Sequence, residues 1–404
     1  MKYINNKLAI DGIYLNTLAK KHGTPLYCYS YNELERNILT FKKNFRKFNP
    51  LICFSVKSNS NKKILNEIKK FDIGADVVSQ GELIKALKSG IKSNKIVFSG
   101  VGKTFSELKF AIEKDILLIN VESESELRLI DKIAKFKKKI VNVGIRLNPD
   151  TDARTIKKIS TGNSENKFGV NEKEFLKLIQ FSKISKNLNV KCLSVHIGSQ
   201  ILDYRPYKKM LNVVNKVIKK SNYKFDFIDL GGGMGIPYEK KSKKLNYKIY
   251  SNLINKFLKT HNSKIIFEPG RSIIGSAGVL ISKITYIKET KNKIFVILDC
   301  GMNDFLRPAL YGAKHEILPI VKNNKIQNKI IEFVGPICET TDTFLRLKKF
   351  QPVREGENIV ILNTGAYGMS LSSNYNVRPM PTEVLIKKKK SLIIFKRQKL
   401  SEIT

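Results

Sequence analysis

The sequence is poor in several residue types that mark particular classes of protein. Its 404 residues include no tryptophan, four histidines and five cysteines. The cysteines are odd in number, scattered and without a CxxC pair: Cys28, Cys53, Cys192, Cys300 and Cys338. This pattern predicts reduced thiols in a cytoplasmic protein, and it argues against a disulfide framework and against a zinc or other metal site.

Long apolar runs are missing as well. No stretch reaches the roughly 20 apolar residues of a membrane-spanning helix. The first residues are interrupted by Asn5, Asn6, Lys7 and Asp11, so they do not predict a signal peptide. We therefore expect no membrane partner. With 42% hydrophobic and 27% charged residues, the composition is that of a globular protein with a large core.

Acidic residues are too few to balance the basic ones. There are 74 Lys and Arg against 35 Asp and Glu, a formal net charge of +39. The excess is mostly lysine and runs from end to end, whereas proteins that read nucleic acids favour arginine and concentrate their charge. The four lysines 387–390 lie between two apolar runs, which predicts a hairpin turn. We expect no specific nucleic-acid partner, although non-specific polyanion binding is compatible with this charge.

Between about residues 50 and 275, short apolar runs alternate with stretches of helical spacing. Eight runs predict strands: Leu51–Val56, Ile73–Val78, Lys95–Ser99, Leu117–Val121, Ile140–Leu147, Val190–Ile197, Phe225–Leu230 and Lys264–Phe267. Eight β/α units in this length favour a (β/α)₈ TIM-like barrel over an open doubly wound sheet.

The character of the sequence changes after about residue 275. Five β-rich runs are separated by Gly, Pro, Asn and Lys turns: Ile281–Ile287, Ile294–Leu298, Ile331–Val334, Ile359–Leu362 and Leu392–Phe395. The run Leu26–Tyr29 adds a possible N-terminal strand. The sequence therefore predicts an α/β protein with a barrel domain over residues 30–275. Residues 1–29 and 276–404 are expected to form an all-β domain, like a β-sandwich or β-barrel, that contributes residues to the substrate site.

Chemistry in a barrel is expected at the C-terminal ends of its strands. Lys57 stands there, at the polar end of the run Leu51–Val56, where burial would favour a neutral amine able to form a Schiff base. A snorkelling or ion-paired lysine is the alternative. Asp76 closes the second strand, and His196 follows the sixth. The flat imidazole of His196 could stack on a planar cofactor. The alternative is a hydrogen-bonded histidine in the core.

The last two strands are followed by glycine-rich segments. Residues 231–235, Gly-Gly-Gly-Met-Gly, let backbone N–H groups approach an anion. A dinucleotide fingerprint would open directly into a helix, but Pro237 follows, so a barrel phosphate site fits better. Glu268 precedes Pro269-Gly270-Arg271. It either holds a pyridinium nitrogen through a charge-assisted hydrogen bond or forms an ion pair with Arg271.

An amine, a glycine cradle, a carboxylate and an imidazole together predict a site for pyridoxal 5′-phosphate. Over residues 10 to 400 the chain resembles the fold-type III pyridoxal-phosphate-dependent decarboxylases, and most closely the branch that acts on diaminopimelate. The resemblance implies that Lys57 bonds to the cofactor, His196 stacks on its ring and Glu268 pairs with its ring nitrogen. It also implies cofactor or substrate contacts from Asp76, Ser199, Gly232, Gly233, Gly270, Arg271 and Tyr367.

Motifs after residue 300 distinguish the diaminopimelate branch from the rest of the family that the chain resembles. They are residues 335–342 (GPICETTD), 302–311 (MNDFLRPALY), 365–368 (GAYG) and 373–376 (SNYN). The first is similar to a segment that reaches the neighbouring subunit's active site, which implies a homodimer with shared sites containing Cys338 and Glu339. Taken singly, Cys338 reads as a buried apolar residue and Arg307 as a surface cation.

The implied activity is a carboxy-lyase reaction, the decarboxylation of meso-2,6-diaminopimelate to L-lysine and CO₂ as the last step of lysine biosynthesis. Cys338 or the freed Lys57 would reprotonate Cα. Arg271, Arg307 and Tyr311 suit the substrate's remote carboxylate, and Glu339 suits its ammonium. Tyr367 is a further expected substrate contact. Two alternatives stay open: an ornithine, arginine or carboxynorspermidine decarboxylase, and a non-catalytic regulatory homologue.

Overall fold

The computed structural model describes residues 1–239 and 242–404. They form two compact units. One contains Leu39–Ile236 and Lys243–Ser272, and the other contains Met1–Ile38, the described part of Pro237–Ser242, and Ile273–Thr404. Apart from the short segment Pro237–Ser242, the units change over after Ile38 and after Ser272. The domain limits at residues 30 and 275 remain our proposal.

Strands and helices alternate through the middle of the chain, whereas most elements near its two ends are strands. The strands are β1 (Lys2–Ile4), β2 (Lys7–Ile10), β3 (Ile13–Tyr14), β4 (Leu26–Ser30), β5 (Leu51–Ser55), β6 (Gly74–Val77), β7 (Ile96–Phe98), β8 (Leu118–Val121), β9 (Val141–Arg146), β10 (Leu188–Ser194), β11 (Phe227–Asp229), β12 (Lys264–Phe267), β13 (Gly278–Glu289), β14 (Lys293–Leu298), β15 (Ile317–Pro319), β16 (Ile330–Val334), β17 (Thr343–Leu347), β18 (Asn358–Ile361), β19 (Thr382–Lys387) and β20 (Lys390–Phe395). The helices are α1 (Leu15–His22), α2 (Tyr31–Phe45), α3 (Lys62–Lys69), α4 (Gln80–Lys88), α5 (Phe105–Glu113), α6 (Glu124–Lys137), α7 (Glu172–Ile184), α8 (Arg205–Ser221), α9 (Tyr247–Leu258), α10 (Arg271–Ile274) and α11 (Arg307–Tyr311).

Strands β5 to β12 close into a parallel eight-stranded barrel, with a helix after each strand. This confirms the predicted fold and all eight predicted barrel strands. The strands are recognisable in the sequence because both faces of a barrel strand are covered, so each reads as an apolar run. Helix starts are fixed by side-chain caps: Ser79 accepts the N–H of Glu82 in α4, and Ser123 accepts that of Glu126 in α6.

The other unit is built around a nine-stranded mixed sheet, whose main path runs β17-β16-β14-β13-β4-β19-β20. Strand β4 pairs antiparallel with β13 and parallel with β19. The predicted β-sheet domain and the predicted N-terminal strand are therefore confirmed, and this unit also contains helices α1 and α11. The hairpin predicted at lysines 387–390 joins β19 to β20, and Lys388 and Lys389 take the left-handed backbone conformation, with φ of 50° and 57°.

Residues 1–14 add a three-stranded antiparallel sheet, β1-β2-β3, that the sequence did not predict. No helix among the described residues is both long enough and apolar enough to cross a membrane.

Candidate active site

The C-terminal end of β5 leads directly into the predicted reactive lysine. Lys57 lies in a single 3₁₀ turn, Val56–Ser58, just beyond the strand. Its side chain is 41% exposed, and Nζ lies 2.9 Å from Oδ2 of the fully buried Asp76. The expected burial of this amine is therefore wrong: the strand end carries it out into partial exposure, and the carboxylate favours its ammonium form. Of the alternatives considered from the sequence, the structure shows the ion-paired lysine.

Asp76 is held by more than the lysine. The Ser55 hydroxyl donates a 2.6 Å hydrogen bond to the same oxygen, Oδ2. The other oxygen, Oδ1, is buried and has no hydrogen-bond partner among the described residues. A buried carboxylate oxygen without a donor is costly, so this atom is a position where a bound polar group would be accommodated.

Glu268 lies immediately after β12, in a buried network of polar side chains. The Ser99 hydroxyl donates to its Oε1 at 3.3 Å, and the amide of Asn120 donates to Ser99 at 3.1 Å and to Asp229 at 3.0 Å. Burial, followed by the nearby carboxylates of Asp229 and Asp76, raises the pKa of Glu268 well above its ordinary value. Glu268 is therefore a buried carboxyl group that readily holds a proton.

Asp229 differs from Glu268 in its hydrogen bonds. It accepts from the backbone N–H of Gly231 at 2.9 Å, from the Asn120 amide and from the Ser194 hydroxyl at 3.2 Å. Burial raises the pKa of Asp229 as well. Since three donors stabilise an ionised carboxylate, we assign the negative charge to Asp229 and the proton to Glu268.

His196 follows β10 and is held by the glycine segment after β11. The backbone N–H of Gly232 donates to its Nδ1 at 3.2 Å, so Nε2 carries the hydrogen in the neutral ring. Burial, followed by the positive charges of Arg146 and Lys57, lowers the pKa of His196 well below its ordinary value. The site therefore presents a neutral imidazole in one tautomer.

The glycines of this region permit close approach of the loops. A Cβ on Gly232 would lie 2.2 Å from the carbonyl oxygen of Glu268, and Gly233 has φ of +87° with a would-be Cβ 2.3 Å from the carbonyl oxygen of Gly198. Within the described chain, no protein acceptor is hydrogen-bonded to the N–H of Gly233 or Gly270. Beside them, the buried Arg271 donates to the Ser199 hydroxyl at 3.1 Å. Free N–H groups, a hydroxyl and a guanidinium suit a phosphate.

In the other unit, α11 places Arg307 in buried surroundings, so the reading of a surface cation is wrong: only 5% of the residue is exposed. Its guanidinium carbon lies 5.3 Å from the ring of Tyr238, 5.8 Å from Tyr311 and 6.0 Å from Tyr367. The Arg307 Nε–H donates to Nε2 of His315 at 3.2 Å. The tyrosine rings and the imidazole therefore hold the Arg307 guanidinium in place.

The segment 335–342 presents Cys338 and Glu339 on the surface. Cys338 is exposed, so its reading as a buried apolar residue is wrong. Glu339 is exposed and accepts hydrogen bonds from the Tyr375 hydroxyl and, at 3.2 Å, from Thr341. The segment is pinned by the buried Asp342, which accepts the N–H groups of Met302 at 2.7 Å and Ile337 at 2.8 Å.

Comparison with known proteins identifies the family. Residues 23–275 match the model of the pyridoxal-binding domain of pyridoxal-dependent decarboxylases. Diaminopimelate decarboxylase of Aquifex aeolicus is 40% identical over 98% of this chain and 95% of the relative, and that of Helicobacter pylori is 41% identical over 96% of each. The crystal structure of diaminopimelate decarboxylase from Helicobacter pylori complexed with L-lysine superposes with a TM-score of 0.92 at 40% identity, covering 96% of this chain and 98% of that one.

The chain belongs to the diaminopimelate decarboxylase family. Members of this family use pyridoxal phosphate, and the barrel residues fit that cofactor on three independent counts. Lys57 supplies an amine, the proton-holding Glu268 matches a ring nitrogen, and the unpartnered N–H groups of Gly233 and Gly270 match a phosphate. The buried Oδ1 of Asp76 is a fourth polar atom that accepts a donor.

Two residues described above were not singled out from the sequence, Asp229 in the barrel unit and His315 in the other unit. Asp229 interrupts the apolar strand Phe225–Leu230, and a charged residue within a barrel strand was the available signal. His315 is one of only four histidines, but nothing in its sequence surroundings connects it with Arg307. The contact forms because the loop after α11 folds back and brings the His315 imidazole next to Arg307 on that helix.

Proposed function

We propose that the protein decarboxylates meso-2,6-diaminopimelate to L-lysine and CO₂, the last step of lysine biosynthesis, in the cytoplasm. The observation that carries this proposal is the buried Arg307 beside Tyr311, and it is supported by barrel residues whose chemistry fits pyridoxal phosphate. A decarboxylase that releases a simple diamine has no remote carboxylate to bind, whereas diaminopimelate has one. An arginine fork matches that carboxylate in geometry and charge.

In this proposal the barrel residues bind and orient the cofactor. Lys57 would hold it covalently through its amine, with Asp76 next to that amine as its ion-pair partner. Glu268 would hold a proton for the ring nitrogen, while Asp229 would stay ionised in the same buried network. The neutral ring of His196 would pack against the cofactor ring. Ser199, Gly232, Gly233, Gly270 and Arg271 surround the phosphate or the substrate.

Bound pyridoxal phosphate supplies an electron sink for the pair of electrons that CO₂ leaves behind. The protein must then deliver one proton to Cα. Cys338 is the residue we assign to that transfer, with the Lys57 ammonium as the other candidate, since both carry a transferable proton.

Recognition of the substrate's remote end falls to four residues. Arg307 and Tyr311, with Arg271, bind the remote carboxylate, and Glu339 binds the neighbouring ammonium. Tyr367 contacts cofactor and substrate, and its position is fixed by an unusual left-handed backbone, with φ of 57°. Such a conformation in a large non-glycine residue is typical of functional sites.

We further propose a homodimer in which each site receives Cys338 and Glu339 from the second copy. The support is their exposure: an acid that acts on Cα has to be shielded from water during the reaction, yet Cys338 is exposed in the single chain. A second copy of the chain would provide that shielding.

Turnover of defined substrates tests the proposal. Protein loaded with pyridoxal phosphate and treated with borohydride should carry the reduced cofactor on Lys57, located by peptide mass spectrometry. The untreated enzyme should release CO₂ and lysine from meso-diaminopimelate, and Lys57→Ala should abolish turnover. Arg307→Ala should retain the covalent cofactor while losing substrate selection. Preference for ornithine over diaminopimelate would reject the assigned substrate, and full turnover by Lys57→Ala would reject the mechanism.

A further inference from the structure

His315 connects Arg307 to the backbone through two hydrogen bonds. Its Nδ1 lies 2.8 Å from the carbonyl oxygen of Leu362, and its Nε2 lies 3.2 Å from Nε of Arg307. A carbonyl oxygen only accepts, so Nδ1 carries the hydrogen. In the neutral ring Nε2 then has a lone pair, which receives the arginine Nε–H. Both requirements are met by one tautomer of one residue.

The imidazole is also confined by its neighbours. His315 is 1% exposed, and its ring packs edge-on against Tyr238 at 4.6 Å and Phe305 at 4.7 Å between ring centroids. Tyr238 touches both members of the pair, since its ring also lies 5.3 Å from the guanidinium carbon of Arg307. A ring so confined cannot turn away from the arginine without opening the aromatic packing.

We propose that His315 is a positioning residue that aims Arg307 and thereby selects substrates with a remote carboxylate. Guanidinium can offer a carboxylate two parallel N–H bonds either through its Nε side or through its two terminal nitrogens. The hydrogen bond from the Nε–H to His315 fixes the direction of the guanidinium plane, so a bidentate contact with a carboxylate would be made through the two terminal nitrogens. The inference rests on the proposed role of Arg307 in binding the remote carboxylate. It adds His315 as the residue that orients the Arg307 guanidinium.

A comparison of two ligands isolates this effect. L-lysine retains the remote carboxylate, while 1,5-diaminopentane lacks it but has the same carbon chain and both amines. Binding of each to the cofactor-loaded enzyme, measured by calorimetry, gives a preference ratio. Wild type should favour lysine, and Arg307→Ala should remove the preference.

Two replacements of His315 form a matched pair. In His315→Asn the amide still reaches Leu362 but has no atom at the Nε2 position, and we expect the ratio to fall about tenfold, as for loss of one hydrogen bond to a charged group. In His315→Gln the amide oxygen can take the place of Nε2, and most of the preference should be retained. The KM for meso-diaminopimelate should rise in His315→Asn more than kcat falls.

The double variant Arg307→Ala with His315→Asn should show no further loss of the ratio, since the two residues act through one contact. An equal loss of affinity for both ligands in His315→Asn would overturn the inference and indicate a structural role. Retained preference in Arg307→Ala would instead overturn the proposed function of Arg307 itself.

Arg307→Lys gives an answer that does not depend on folding of the His315 variants. Lysine keeps the positive charge but has no Nε–H and no fork. If the charge-conserving variant kept the wild-type ratio, charge alone would account for selection and the positioning role of His315 would be overturned. We expect the ratio to fall as it does in His315→Asn.

Discussion

Cys338 has surroundings unlike those of the other four cysteines. Cys28, Cys53, Cys192 and Cys300 are fully buried, and burial raises the pKa of each thiol above its ordinary value. Cys338 is exposed on the pinned segment 335–342. It is therefore the one exposed thiol among the described residues, as its proposed role in proton transfer requires.

Removal of that thiol gives a prediction about the proton-transfer step. Cys338→Ala should lower kcat by about 10²–10⁴-fold, the range for loss of a general acid, with little change in KM. Glu339→Gln is the matched control from the same segment, since it should raise KM by weakening the contact to the substrate ammonium. Steady-state kinetics separate the two. A Cys338→Ala enzyme with unchanged kcat would assign the transfer to Lys57.

At the scale of single residues, the sequence predicted chemical types better than environments. Lys57, His196 and Glu268 were recognisable because polar residues follow apolar strands. The exposure of Lys57 and the buried surroundings of Arg307 could not be predicted, because they depend on side chains that are not adjacent in the sequence. Asp76 lies 19 residues from Lys57, and His315 reaches Arg307 only through a loop closed on Leu362.

Among the secondary-structure elements, helix α5 has a cap that serves a second helix. The Thr104 side chain and Glu107 form a capping box, and Glu107 also accepts the backbone N–H of Gln80, the first residue of α4. The hydrogen bonds from Thr104 are the largest cause of a lowered Glu107 pKa, and the bond from Gln80 adds to it. One carboxylate thus satisfies the N-termini of two successive barrel helices.

This arrangement predicts a pH-dependent loss of stability. Glu107→Gln should destabilise the protein by about 1 kcal/mol at pH 7, the usual cost of a weakened cap. Because the folded-state pKa lies below the unfolded value, the contribution of the wild-type carboxylate is present above that value and disappears as pH falls through the folded pKa. Urea unfolding at pH 7 and near pH 3.5 should show a difference that shrinks in acid; a constant difference would contradict the charge-based explanation.

The elements themselves were predicted to very different degrees. All eight barrel strands were found because strands covered on both faces are continuous apolar runs. Strands β1 to β3, β15 and β17 were not, since they are short or alternate polar and apolar residues. The position of β4 between β13 and β19 could not be predicted from any local sequence pattern, because strand order in a sheet is decided by packing between distant segments.

For the whole molecule, the proposed exchange of Cys338 between copies predicts complementation. Lys57→Ala and Cys338→Ala should each be inactive alone. Mixed and allowed to exchange subunits, half of the dimers should be hybrid, and each hybrid should contain one intact site. Activity should therefore return to about a quarter of wild type in a symmetric dimer.

The control for this mixing experiment is the Lys57→Ala variant mixed with the Glu268→Gln variant, since both residues act in the barrel of their own copy. That pair should not complement, since each barrel retains its own defect. Complementation by both pairs, or by neither, would contradict sites completed by Cys338 from the second copy.

The position of β4 has a consequence for how the protein is made. Residues 26–30 leave the ribosome early, but their partners β13 and β19 begin at residues 278 and 382. At roughly 5–20 residues per second, the strand waits on the order of 10–50 s for its first partner. The barrel strands, Leu51 to Phe267, are all synthesised within that interval. A nascent chain of this protein therefore carries an apolar strand with unpaired edges through most of translation, which makes the run Leu26–Ser30 the segment where a chaperone is expected to bind first.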